Sequence, residues 1–99
     1  MAITATVDLG NGVSKASCYI IVPTAYVKKF DDDSFKLIYD VHIYKDASDR
    51  ATNSDTKQIR CREVDHHKID YDPTTSDNPF KLAYTHLKTN SKLSSVADA

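Results

Sequence analysis

Ile3, Ala5, Val7 and Leu9 alternate with Thr4, Thr6 and Asp8, a period of two that gives a short strand one apolar face. Gly10-Asn11-Gly12 follows and holds the only two glycines of the chain. An Asn-Gly pair accepts the positive φ that both central positions of a primed turn require, so the pattern predicts a hairpin. Its second strand runs from Ala16 to Val22, where Cys18, Tyr19, Ile20, Ile21 and Val22 have the apolar, β-branched and aromatic character of a strand covered on both faces. Pro23 ends or bends it, Tyr26 and Val27 continue it after the break, and Asp31-Asp32-Asp33-Ser34 turns the chain. The next strand carries the cleanest alternation: Phe35, Leu37, Tyr39, Val41 and Ile43 on one face, Lys36, Ile38, Asp40, His42 and Tyr44 on the other.

Residues 45–57 have alanine as their only apolar type and cannot bury a face, which predicts a loop with room for a short helical turn. A fourth strand is expected from Gln58 to Cys61, reaching towards Val64, and a further extended piece through Ile69 and Tyr71 to Asp72-Pro73. Asn78 then suits a helix N-cap and Pro79 the first helical position, where a missing N–H costs nothing. Phe80, Ala83, Tyr84 and Leu87 fall at i, i+3, i+4 and i+7, one stripe to lay on a sheet, while Lys81, Thr85 and Lys88 face water. Residues 90–99 are polar apart from Leu93, Val96 and the alanines, and predict a frayed tail or an arm that orders on a neighbour. The expected fold is α+β: a mainly antiparallel sheet or sandwich of about four to five strands with one C-terminal helix packed on it, over residues 1–89, followed by the 90–99 tail.

Composition narrows the functional classes. Ninety-nine residues make one domain, with a thin core that a partner subunit would help. The 13 Lys+Arg and 14 Asp+Glu are spread evenly and sum to -1, unlike the clustered positive charge of a phosphate-backbone binder. Nucleic acid is therefore not the expected partner. Glu63 is the only glutamate, and an acidic set made of Asp suits turns and strand ends. The first residues carry no basic, apolar leader pattern and no stretch has the length of a membrane span, so a cytosol-like compartment and no membrane partner are expected. Cys18 and Cys61 lie far apart without CxxC spacing and read as small buried hydrophobes rather than a disulfide framework.

The motifs for chemistry are missing. Neither GxGxxG nor GxxxxGK[ST] occurs. His42, His66, His67 and His86 lack HExxH or paired i, i+4 spacing, and adjacent histidines on a strand point to opposite faces, so they are expected to be exposed rather than to hold a metal. Asp31-Asp32-Asp33 lacks the alternate oxygens, central Gly and distal Glu of a calcium loop and reads as a solvated turn. Ser, Cys, His and Asp are present without catalytic spacing, and a domain this small seldom encloses the ~300 Å³ of a small-molecule pocket. The chain is expected to be no enzyme, with no cofactor, metal or small-molecule substrate. Tyr19, Tyr26, Tyr39, Tyr44 and Tyr71 read as core or interface residues, since no basic groove accompanies them. Leu93, Val96 and Tyr44 are the candidate interface residues, Leu93 and Val96 being the only large apolar side chains of the tail.

A resemblance rests on four segments: the AITATVDLGNGV hairpin, the Cys18-Tyr19-Ile20-Ile21-Val22 strand, the strand end Val41-His42-Ile43-Tyr44-Lys45-Asp46, and the helix Pro79-Phe80-Lys81-Leu82-Ala83-Tyr84-Thr85-His86-Leu87-Lys88-Thr89. Together they resemble small structural proteins of tailed bacteriophages. The resemblance implies a non-enzymatic virion part, made in the host cytoplasm and present in several copies. It would join other virion proteins in the tail, baseplate or fibre-attachment region, with a capsid decoration or cement protein, or a free cytosolic binding module, as the alternatives. Residues 45–57 and the segment from Asn90 are where such proteins vary and meet partners.

Overall fold

The computed structural model describes residues 2–52, 58–75 and 77–99. The elements run β1 (Ile3–Gly10), β2 (Val13–Lys29), β3 (Phe35–Tyr44), α1 (Ala47–Thr52), β4 (Gln58–Ile59), α2 (Arg62–Asp65), β5 (His66–Asp70), α3 (Pro79–Leu87) and β6 (Leu93–Asp98). The strands form one antiparallel sheet in the order β4, β3, β2, β1, β6, and β5 also pairs with β3. β4 meets β3 at Ile43 and Tyr44 and β5 meets it from Lys36 to Asp40, so the two share one edge of β3 near opposite ends.

The first hairpin follows from its turn. Asn11 and Gly12 have φ of 54° and 77°, the two positive values of a primed turn, and Gly10 pairs with Val13 across it. β2 then runs 17 residues without stopping at Pro23. Ile21 faces His42 while Thr24 faces Asp40, so Val22 and Pro23 share one position on β3 in a bulge. A bulge is where a strand tolerates a residue with no N–H to donate.

The pairing of β1 shows three further irregularities, one at its own Leu9 between Asp8 and Gly10 and two in the strands beside it. Ala16 and Ser17 of β2 oppose the single residue Thr6, and Ser95 and Val96 of β6 oppose Ala5. Ser17 and Ser95 take the left-handed φ of 58° and 52° there.

Alternate residues fill the core: Ile3, Ala5 and Val7 from β1, Cys18, Ile20 and Val22 from β2, Leu37, Tyr39, Val41 and Ile43 from β3, and Leu93 from β6. Cys61 and Val64 beside α2, and Ala83, Tyr84 and Leu87 of α3, belong to the same buried cluster. Both cysteines are free and buried. On the other face of β3, Ile38 and Tyr44 are also buried.

Among the described residues three helices are present, where one helix and room for a short helical turn were expected. α1 lies inside the stretch read as a loop, and Asp46 starts it by accepting a 2.7 Å hydrogen bond from the Asp49 amide. Residues 53–57 of that stretch lie outside the described residues. α2 replaces the continuation of a strand towards Val64: Asp65 turns back to accept from the Cys61 amide at 3.3 Å, and the turn buries Val64. α3 begins as its sequence predicts, with the Asn78 side chain accepting from the Lys81 amide at 2.8 Å and Pro79 at the first position.

The tail is corrected most. Within residues 90–99, Leu93–Asp98 is a strand paired with β1 of its own chain, not an arm awaiting a neighbour. Leu93 and Val96 are three residues apart, a spacing that hides a strand from a period-of-two reading. The Ser95 bulge re-phases them, so that Leu93 is buried and Val96 packs against the core.

Candidate functional site

Surfaces available to a partner are set by where pairing stops. Among the described residues, the outer edges of β4, β5 and β6 pair with no strand, and neither does β2 from Val13 to Cys18 on the side of β3. β1 begins at Ile3, opposite Ile20, and leaves the rest of β2 uncovered on that side. β6 is blunted by its bulge and tied down by Lys88–Asp98 and Lys92–Asp8 ion pairs of 2.6 and 3.7 Å. β5 carries exposed charge at Lys68 and Asp70 beside an exposed His66, and both devices discourage a further strand. The stretch of β2 from Thr24 to Lys29 pairs with β3 residue for residue, without a register shift, and carries exposed charge only at its Lys28–Lys29 end. Large exposed apolar side chains mark the rim of the molecule at Leu9 and Val13 beside the first turn, at Tyr26 on β2 and at Phe80 on α3.

The candidate interface residues read from the sequence are committed elsewhere. Leu93 and Val96 serve the chain's own core. Tyr44 is 1% exposed, its ring under the Arg50 guanidinium at 5.7 Å and its hydroxyl 3.5 Å from His42 Nδ1.

Sequence reasoning missed a cluster built from three elements. Tyr39 of β3 is fully buried, and its hydroxyl shares a 2.5 Å hydrogen bond with His86 Nδ1 of α3. The His67 ring of β5 lies 5.1 Å from that of Tyr39 and 5.6 Å from that of His86. Asn90 donates to the Glu63 carbonyl at 3.0 Å with His67 Nε2 3.4 Å away. His67 and His86 are therefore half-buried partners of a tyrosine, not the exposed histidines expected, whereas His66 is exposed against Asp40 at 2.5 Å. The signal was register: His67 has the parity of Ile69 on β5, and His86 follows Ala83 by three on the buried side of α3.

Burial pushes the Tyr39 hydroxyl well above the usual tyrosine range and keeps it neutral. It also lowers the affinity of His67 for a proton, with the positive charge of a protonated His86 adding to the effect. The same burial raises the thiols of Cys18 and Cys61, which favours the thiol over the nucleophilic thiolate. Among the described residues no group of three His, Cys, Asp or Glu side chains is placed to hold a metal ion.

His86 also borders an open groove of ≈ 460 Å³ between α3 and the β3–β5 pair, with Leu37, Ile69, Tyr71 and Leu82 on its apolar walls. A second groove of ≈ 660 Å³ lies where β2 loses its β1 neighbour, between Tyr19, Ile21, Pro23, Arg50 of α1 and Tyr84. Both exceed the volume expected of so small a domain, because they are surface troughs between elements rather than enclosed cavities. No helix among the described residues is long and apolar enough to cross a membrane. Comparison with protein-family models, with curated proteins and with solved structures gives no match.

Proposed function

We propose that this chain is a non-enzymatic structural component of a tailed-phage virion. It acts as a small adaptor in the tail, baseplate or fibre-attachment region, joins other virion proteins and is present in several copies. The observation that carries the reading is the sheet itself: an elongated body of 40 × 29 × 23 Å with a stretch of β2 that is paired with β3 on one edge and with no strand on the other among the described residues. Open strands and apolar rims hold a partner by main-chain hydrogen bonds and small side-chain anchors without a deep pocket. In this reading α3 is the helix that closes the sheet, while Tyr26, Phe80, Leu9 and Val13 are left for contacts. The resemblance of the four sequence segments to phage structural proteins supplies the setting.

Removing the coding sequence from the phage tests the reading. Particles assembled without the chain should lack a tail-associated part under the electron microscope, and the chain supplied in trans should restore it. Complete, infectious particles made in its absence would contradict an adaptor role.

A further inference from the structure

β2 outlasts β1. The last pair between them is Ile3 with Ile20, and β2 continues to Lys29 with β3 as its only strand neighbour among the described residues. From Thr24 to Lys29 the ladder to β3 is regular, so alternate residues of this stretch turn an N–H and a C=O outward in the spacing that an added strand needs.

Exposed apolar side chains flank that edge on both faces. Tyr26, 48% exposed, stands on the face that Ile38 shares, opposite to the core. Phe80, 44% exposed, belongs to α3 on the other face. The direction of α3 follows from its contacts: His86 meets Tyr39, Leu82 lines a groove with Leu37, and the Tyr84 hydroxyl reaches the Val22 amide. Tyr39 and Leu37 pair with Ala25 and Val27, so the start of α3 points towards the Lys29 end of β2. Phe80, one turn before Tyr84, shares the side of the helix from which Tyr84 reaches β2 at Val22.

The end of the track is defined as well. A strand antiparallel to β2 runs in the direction of β1 and arrives at Ile21–Pro23, where Ala2 and Ile3 already occupy the line, Ala2 held by the Ala99 amide at 3.0 Å. A chain following this track must stop or turn away. At that point lies the ≈ 660 Å³ groove with Arg50 on its wall. The Arg50 guanidinium rests on Tyr44 at 5.7 Å, and no carboxylate pairs with it among the described residues.

We infer that the Thr24–Lys29 edge takes the extended C-terminal segment of a partner protein as an added strand, its apolar side chains against Phe80 and Tyr26 and its terminal carboxylate bound by Arg50. Main-chain pairing supplies the affinity, the aromatic side chains on the two faces select apolar residues at both odd and even positions of the added strand, and the guanidinium selects a chain end. The inference deepens the adaptor reading and rests on it only for the partner being a virion protein. The test uses purified chain and peptides in solution, so its failure and the failure of the particle experiment are separate results.

A library of seven-residue peptides with free C-termini is selected on the purified full chain, and the enriched sequence is synthesised as free acid and as amide. The expected outcome is apolar residues at neighbouring positions, one for each face, with the acid binding about tenfold or more tightly than the amide in fluorescence anisotropy. Amide exchange within residues 24–29 should slow when the acid is bound. Arg50→Ala should abolish the preference for the acid while leaving amide binding unchanged, and Tyr26→Ser or Phe80→Ser should weaken both forms, each variant first checked for native circular dichroism. Four results would overturn it: no enrichment, protection outside the edge, equal binding of acid and amide, or self-association of the chain that itself protects residues 24–29.

Discussion

The Tyr84 hydroxyl accepts a buried 2.8 Å hydrogen bond from the Val22 amide. That amide belongs to the Val22–Pro23 bulge, where two residues of β2 oppose one residue of β3. Tyr84 thus lets one residue of α3 both fill the core and satisfy a buried main-chain donor of β2.

Tyr84→Phe keeps the ring and removes the acceptor. It should cost about 1–3 kcal/mol, the desolvation penalty of a buried unpaired N–H rather than the smaller net worth of a hydrogen bond. Urea unfolding checks this: the midpoint should fall with an unchanged slope.

The left-handed serines on either side of β1 predict opposite effects of two substitutions. Ser17 holds φ at 58°, a conformation that costs an L-residue roughly 1–2 kcal/mol. Ser17→Gly should be neutral or stabilising by up to about 1 kcal/mol, the relief offset in part by the entropy of glycine. Ser17→Val should be destabilising by more than about 1 kcal/mol, because a β-branched residue fits this region worst. Thermal melts of the pair give the sign directly.

Acid should weaken the fold through His67. Desolvation, and secondarily the charge of His86, hold its pKa below the ordinary value of about 6.5. The folded state therefore favours the neutral ring, while the unfolded chain takes up a proton as pH falls through that value. The stabilising contribution is complete above the unfolded pKa and is lost as pH drops towards the lowered folded one. Stability measured from pH 7 down to 5 should decline, and His67→Gln should flatten that part of the profile.

Residues 90–99 should matter for stability before they matter for binding. Leu93→Ala removes a buried core side chain and should cost about 2–4 kcal/mol. Deleting 90–99 should lower the melting temperature by at least as much, since it also uncovers the β1 edge. A free arm would leave the melt unchanged.

These outcomes trace which parts of the fold were legible in the chain. The first hairpin could be read because Asn11-Gly12 encodes its turn within two residues, and β3 because no bulge interrupts its alternation. The start of α3 was equally local, fixed by Asn78 and Pro79. β6 was not, since its bulge breaks the period and its partner β1 lies at the other end of the chain. α2 depends on the return of Asp65 to Cys61 and on a buried Val64, a tertiary outcome that overrides strand-like composition. The Tyr39–His67–His86 cluster joins three elements far apart in sequence, and only the registers of β3 and β5 with the rotation of α3 bring it together. The open edge of β2 is likewise a difference in strand length, visible once β1 and β2 are aligned.

The central claim is that the chain belongs to the virion. Isotope-dilution mass spectrometry of gradient-purified particles, set against the soluble fraction of infected cells, measures it most directly. A virion component should show a fixed copy number per particle, the same across gradient fractions and after further purification. Particles devoid of the chain, with all of it in the soluble fraction, would contradict it.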